Sequence, residues 1–192
     1  MNVRRNMWAA GMMLLAATGF AQDVDSRFNS SDPAKAPQTV PLSQIEARIN
    51  GDAAADGIVL SILATDHLLR LDIKAMPGST SVAAATRVVF MTARLAKPDY
   101  TEMRFSDEGR DLFVIDGPAI REIGRQFIWG EEGKGQNPIH LIRLFVDALR
   151  YPDGTRVALV YPGSLFGDTS VSTQTMVNVF NPQWVLKNTK VL

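Results

Sequence analysis

Histidine chemistry in this chain must pass through two residues, His67 and His140. His67 opens a predicted strand beside Asp66, and His140 falls in the first turn of a predicted helix with Arg143 three residues on. A helix N-terminus disfavours the imidazolium, so His140 suits a neutral base or ligand. Neither histidine stands at a spacing that belongs to a metal site or a catalytic triad. The chain has no cysteine, which excludes thiolate zinc sites, thiol nucleophiles, disulfides and a lipidated N-terminal cysteine. Gly163-Ser164-Leu165-Phe166-Gly167 resembles a nucleophile turn only superficially, because the serine directly follows the first glycine instead of standing two places after it. A hydrolase or transferase site would have to be assembled from distant residues, with His140, Asp116 and Ser164 as its candidates.

Two further clusters offer binding chemistry. Gly130 to Asn137 (GEEGKGQN) is a glycine-rich loop before a predicted helix, and its amides with Lys134 suit an anion. The loop lacks both the Walker spacing and the dinucleotide fingerprint, and Glu131 and Glu132 repel phosphate. It therefore reads as a surface loop, with Trp129 and Lys134 as contact candidates, since aromatic anchors recur in interfaces. Asp107, Glu108 and Asp111 crowd a hairpin tip around Arg110 without the ligand register of a calcium loop, and read as a solvated tip. Neither a metal nor a cofactor is expected.

The last candidate is a surface. In DTSVSTQTMVNVF, residues 168–180, Val171, Thr173, Thr175, Val177 and Val179 share one period-two face, and Met176 and Phe180 lie on the other. This predicts a β-rich C-terminal segment with a strand over 171–180, internal to the sheet or open to strand addition from another chain. Val177, Val179 and the following Trp184 are its binding candidates.

The elements that must position these residues follow from periodicity. Ser43-Gln44-Ile45-Glu46 matches a capping box and predicts a short helix closing at Asn50-Gly51. Alternation at Ile58, Leu60 and Ile62, and again at Leu69, Leu71 and Ile73, predicts a hairpin. One of Ser79, Thr80 and Ser81 caps a largely buried helix over Val82 to Ala96, which Pro98 stops. Tyr100 to Ser106 and Asp111 to Asp116 predict a second hairpin. Pro118 starts a helix with Ile120, Ile123 and Phe127 on one side, and Asn137-Pro138 starts another with Ile142, Phe145, Val146 and Leu149 inside. A strand is predicted over Thr155 to Tyr161 (TRVALVY). A strand–helix–strand crossover between two hairpins gives an α+β fold, a mixed or antiparallel sheet with helices packed on one face.

The N-terminus carries an address. Met1–Ala21 has basic Arg4 and Arg5, an uncharged run from Met7 to Phe20, and small Gly19 and Ala21 before Gln22. That is the layout of a secretory signal peptide, and its apolar run is short of the roughly 20 residues that span a bilayer. Removal of 1–21 leaves 18 basic and 20 acidic residues. Residues 22–40 read as a flexible linker containing Pro33 and Pro37, and 41–192 as one domain.

Composition completes the reading. At 46% hydrophobic residues and balanced charge the chain is not a disordered one. Near-zero net charge gives no electrostatic reason for a nucleic-acid or anionic-lipid partner, and no membrane span is expected after cleavage. The sequence therefore predicts a periplasmic or secreted, non-catalytic module that contacts another protein or itself. The alternative is a periplasmic hydrolase or a small-molecule-binding protein with a site built from distant residues.

Overall fold

The computed structural model describes residues 38–65, 67–128 and 138–188. Residues 1–21, most of the predicted linker, and 129–137 with Trp129 and Lys134 lie outside these residues.

A four-stranded mixed sheet carries the fold, in the spatial order β1-β2-β3-β4. β1 (Val59–Ala64) pairs antiparallel with β2 (Leu68–Ala75), as its alternation predicts. β2 pairs parallel with β3 (Glu102–Asp107), and β3 pairs antiparallel with β4 (Arg110–Asp116). The second hairpin turns at Glu108 and Gly109, both at positive φ (52° and 82°), the primed geometry whose twist matches that of paired strands. Parallel neighbours need a long crossover, and the helix Val82–Leu95 supplies it. Ser81 caps that helix by accepting a hydrogen bond from the Ala84 N–H.

Five α-helices appear among the described residues: α1 (Leu42–Asn50), α2 (Val82–Leu95), α3 (Gly117–Ile128), α4 (Pro138–Ala148) and α5 (Leu165–Thr175). The strands place Leu60, Ile62, Leu69, Leu71, Ile73, Met103, Phe105, Phe113 and Ile115 in the core. On the other face Arg70 and Arg104, which alternate with these residues, pair with Asp111, set there by the register shift opposite Phe105 and Ser106, and Arg104 also pairs with Glu102. Helices pack against the sheet, so the α+β expectation holds. Phe180 is the hub of the core, 5.2–5.4 Å from the rings of Phe145, Phe105, Trp184 and Phe113. Such offset and edge-on ring pairs add about 0.5–1.5 kcal/mol each beyond area burial.

Several expectations are corrected. The capping box does not form: Pro41 precedes α1 and Ser43 lies inside it. Glu46 accepts the Ile62 N–H of β1 at 2.7 Å instead. Val40, placed in the linker, is anchored by hydrogen bonds with Leu95 and Lys97. The strand over 155–161 reduces to one bridging residue, Arg156, opposite Arg150. Asp153 accepts from both the N–H and the hydroxyl of Thr155, a tight local turn, and the chain then leaves the sheet.

The largest correction is the C-terminal segment, which is helical. α5 runs on into a π-helical stretch, Met176–Val185, and a 3-10 turn, Leu186–Asn188. Asp168, Ser172, Thr175, Met176, Phe180, Trp184 and Val185 are its buried residues, a helical stripe whose first three members are polar. An apolar pattern search does not see polar members. Ser172 and Thr175 donate their hydroxyls to carbonyls four residues back, which satisfies them in a helix interior. The π register contains Pro182, which has no N–H to give an α-helical ladder.

Candidate functional site

The run VALVYPGSLFG, residues 157–167, contains no charged residue. It connects the Arg156 bridge to α5, and Pro162-Gly163 turns it, with Gly163 at φ 81° in the pattern of a type II turn. Val157 and Ala158 are buried, but Leu159, Val160, Leu165 and Phe166 are 74%, 88%, 73% and 87% exposed. These four side chains flank one turn. Scattered exposed hydrophobic residues are ordinary, but four on a single turn are not.

This turn is held in shape from behind. Asp168 is 3% exposed, and its carboxylate accepts the Gly163 N–H at 2.9 Å and the Arg143 guanidinium at 2.9 Å. Arg143 comes from α4 and also lies over the Tyr161 ring, 5.7 Å from its centroid. The Tyr161 hydroxyl meets Ser172 Oγ at 3.3 Å, and burial pushes this phenol above its ordinary pKa. Ser164 caps α5 by accepting from the Gly167 N–H. Asp168 also stands in the first turn of α5, where a carboxylate is favoured. Two helices, α4 and α5, therefore fix a turn whose outward side is apolar.

The residues singled out in the sequence are placed as follows. Asp116 accepts from the Ala119 N–H at the start of α3, and Ser164 caps α5, so both oxygens serve helix ends. His140 is exposed in the first turn of α4. Among the described residues no hydrogen bond joins any two of these three. His67 uses its carbonyl to accept from Thr101 and Glu102. Asp107 pairs with Lys187, and Asp111 with Arg70 and Arg104, so these two hairpin acids are neutralised locally. No group of three potential metal ligands occurs among the described residues.

Trp184 is fully buried in the core and is not a surface anchor. Val177 is 58% exposed and Val179 half-buried, on the outer side of a helix instead of a strand edge. Trp129 and Lys134 lie outside the described residues. Sequence reasoning missed Leu159, Val160, Leu165 and Phe166. The available signal was an eleven-residue uncharged run broken by Pro-Gly, which reads as strand plus loop when burial is assumed.

Neither a protein-family model, nor a curated protein, nor a solved structure matches the chain. No helix among the described residues is long and apolar enough to cross a membrane.

Proposed function

We propose that the chain is an exported, non-catalytic module that works by contact, and that it seats the 157–167 turn on another protein or on a second copy of itself. One observation carries this reading: Leu159, Val160, Leu165 and Phe166 stand in solvent on a turn held by the buried Asp168 carboxylate. A turn held apolar side outward is pre-organised for association, so little ordering entropy opposes binding. Export is supported by the leader pattern of Met1–Ala21.

The test is a photo-crosslinking amino acid at position 166 in the producing cell, with position 153 as control. Asp153 is also exposed, on a polar turn. One discrete adduct from 166 alone, to another envelope protein or to the chain itself, is the expected result. Equal, diffuse labelling from both positions overturns the reading. The paired variant L159S/F166S should abolish the adduct and leave the unfolding midpoint within the spread of surface substitutions, about 0.5 kcal/mol.

A further inference from the structure

A second feature, separate from the contact turn, lies between α2, α3 and α4. An open pocket of about 260 Å³ is lined by Ala83, Thr86, Arg87 and Phe90 of α2, Phe127 of α3, and Pro138, Leu141 and Ile142 of α4. The α2 residues are one helical stripe in two rows. Thr86 and Phe90 are buried and form the deeper row, while Ala83 and Arg87 are further out at the rim. Phe90 meets Phe127 edge-on at 5.4 Å and Phe145 at 5.6 Å, so the floor is aromatic and fixed.

The two polar side chains of this lining are the informative ones. Thr86 is 5% exposed, and its hydroxyl makes no hydrogen bond among the described residues. Its neighbour Thr92, on the same helix, donates to the carbonyl four residues back, the usual solution for a buried threonine. The half-buried Arg87 guanidinium likewise has no ion pair or hydrogen bond among the described residues. Elsewhere Arg70, Arg104, Arg143 and Arg156 all pair with carboxylates. An apolar wall with one unpaired cation and one unpaired hydroxyl at adjacent positions is complementary to a carboxylate with a hydrocarbon tail.

We infer that this pocket binds a small amphipathic monocarboxylate, its head on Arg87 and Thr86 and its tail against Phe90, Phe127, Leu141 and Ile142. Size sets the tail. A cavity of about 150 Å³ holds a benzene ring, so this larger space takes a chain of about six to eight carbons. The binding is non-covalent and moves no proton.

Sodium octanoate is the probe, titrated into the mature chain and followed by calorimetry and by two-dimensional NMR. Saturable binding with shifts confined to α2, the end of α3 and α4 is the expected result. R87Q should weaken octanoate by about tenfold or more, the worth of a charge-assisted hydrogen bond, and leave 1-octanol unchanged. T86V, isosteric without the hydroxyl, should weaken octanoate by a smaller factor. A83F fills the rim from an exposed position and should block both probes while the circular dichroism spectrum and unfolding midpoint stay as in the parent. No saturable octanoate binding overturns the inference. So does octylamine binding as tightly as octanoate, or octanoate binding that R87Q and A83F both leave unmoved.

Discussion

The Asn50 side chain and the Leu60 main chain close a two-bond ring: Nδ2 donates to the Leu60 carbonyl at 2.8 Å, and the Leu60 N–H donates to Oδ1 at 2.9 Å. Leu60 lies on β1, the edge of the sheet, whose outward backbone groups have no strand partner. The amide reproduces what a neighbouring strand would offer. One turn earlier on α1, Glu46 takes the Ile62 N–H in the same way. α1 thus covers an edge that would otherwise invite pairing with another chain.

N50A should therefore destabilise the fold by about 1–2 kcal/mol, because it leaves a donor and an acceptor of one residue unmatched. It should also raise the tendency to self-associate through β1. N50D is no rescue: its carboxylate still accepts the N–H but cannot donate to the carbonyl. Urea unfolding with light scattering checks both effects. An N50A chain as stable and as monodisperse as the parent would show that the ring does not protect the edge.

The contrast between Asn50 and Phe180 indicates how much of this molecule is legible from its sequence. Hairpins, the α2 crossover and a cap from one of Ser79, Thr80 and Ser81 follow from local alternation and helix-terminus chemistry, and all three appear, the cap being Ser81. Asn50 reads as a helix terminator, and only the fold reveals that its amide faces a strand ten residues on. Phe180 lies in a segment whose Thr, Val and Ser favour strands and whose alternation supports one. Tertiary burial of Asp168, Ser172 and Thr175 overrides that preference. The 157–167 turn was illegible for a related reason: the sequence reveals that Leu159 and Phe166 are apolar but not that both stand exposed among the described residues. The pocket depends on how three successive helices meet in space, which no local pattern encodes.

The turn's support gives a second prediction. Asp168 is buried and Arg143 is half in solvent, so removing Arg143 strands a carboxylate with the Gly163 N–H as its side chain's one hydrogen bond among the described residues. R143A should cost about 2 kcal/mol, below the range for a fully buried pair because water reaches the guanidinium side. Adding D168N to R143A should recover part of that loss, since the amide needs no counter-charge. A double-mutant cycle in urea should read a coupling of about 1 kcal/mol. Simple additivity would mean that Arg143 does not hold Asp168. R143A should also weaken the crosslink from position 166, because the turn loses its fixed shape.

Two tyrosines set an alkaline limit. Burial pushes the Tyr100 phenol strongly upward despite the opposing Arg121 guanidinium, and burial raises Tyr161 as well. The folded chain then holds these phenolic protons at pH values where the unfolded chain has released them. Their contribution to stability is complete below the ordinary phenol value near 10 and is lost as pH climbs toward the raised folded values. Absorbance at 295 nm should show Tyr100 and Tyr161 ionising late, or only on unfolding. Y100F should remove much of the steepness of the alkaline limb. A parent chain in which every tyrosine titrates near 10 while still folded would contradict this.

Gly124 sets two familiar effects against each other. It lies inside α3, where alanine is favoured over glycine by about 1 kcal/mol. Propensity alone therefore predicts that G124A stabilises. Yet α3 crosses α2 closely here: a Cβ on residue 124 would sit 2.7 Å from the Phe90 carbonyl oxygen and 2.8 Å from the Arg94 nitrogen. Both are backbone atoms, which cannot swing aside as a side chain end can. Relief requires the two helices to move apart, and overpacking of this kind costs about 1–3 kcal/mol. Packing should win, with G124A less stable than the parent by about 1–2 kcal/mol in urea. The displacement also has a direction. Phe90 and Phe127 line the pocket between α2, α3 and α4 from these same two helices, so spreading them should alter octanoate affinity without touching Arg87 or Thr86. A stabilised G124A chain would mean that the crossing is looser than described and that propensity decides the sign.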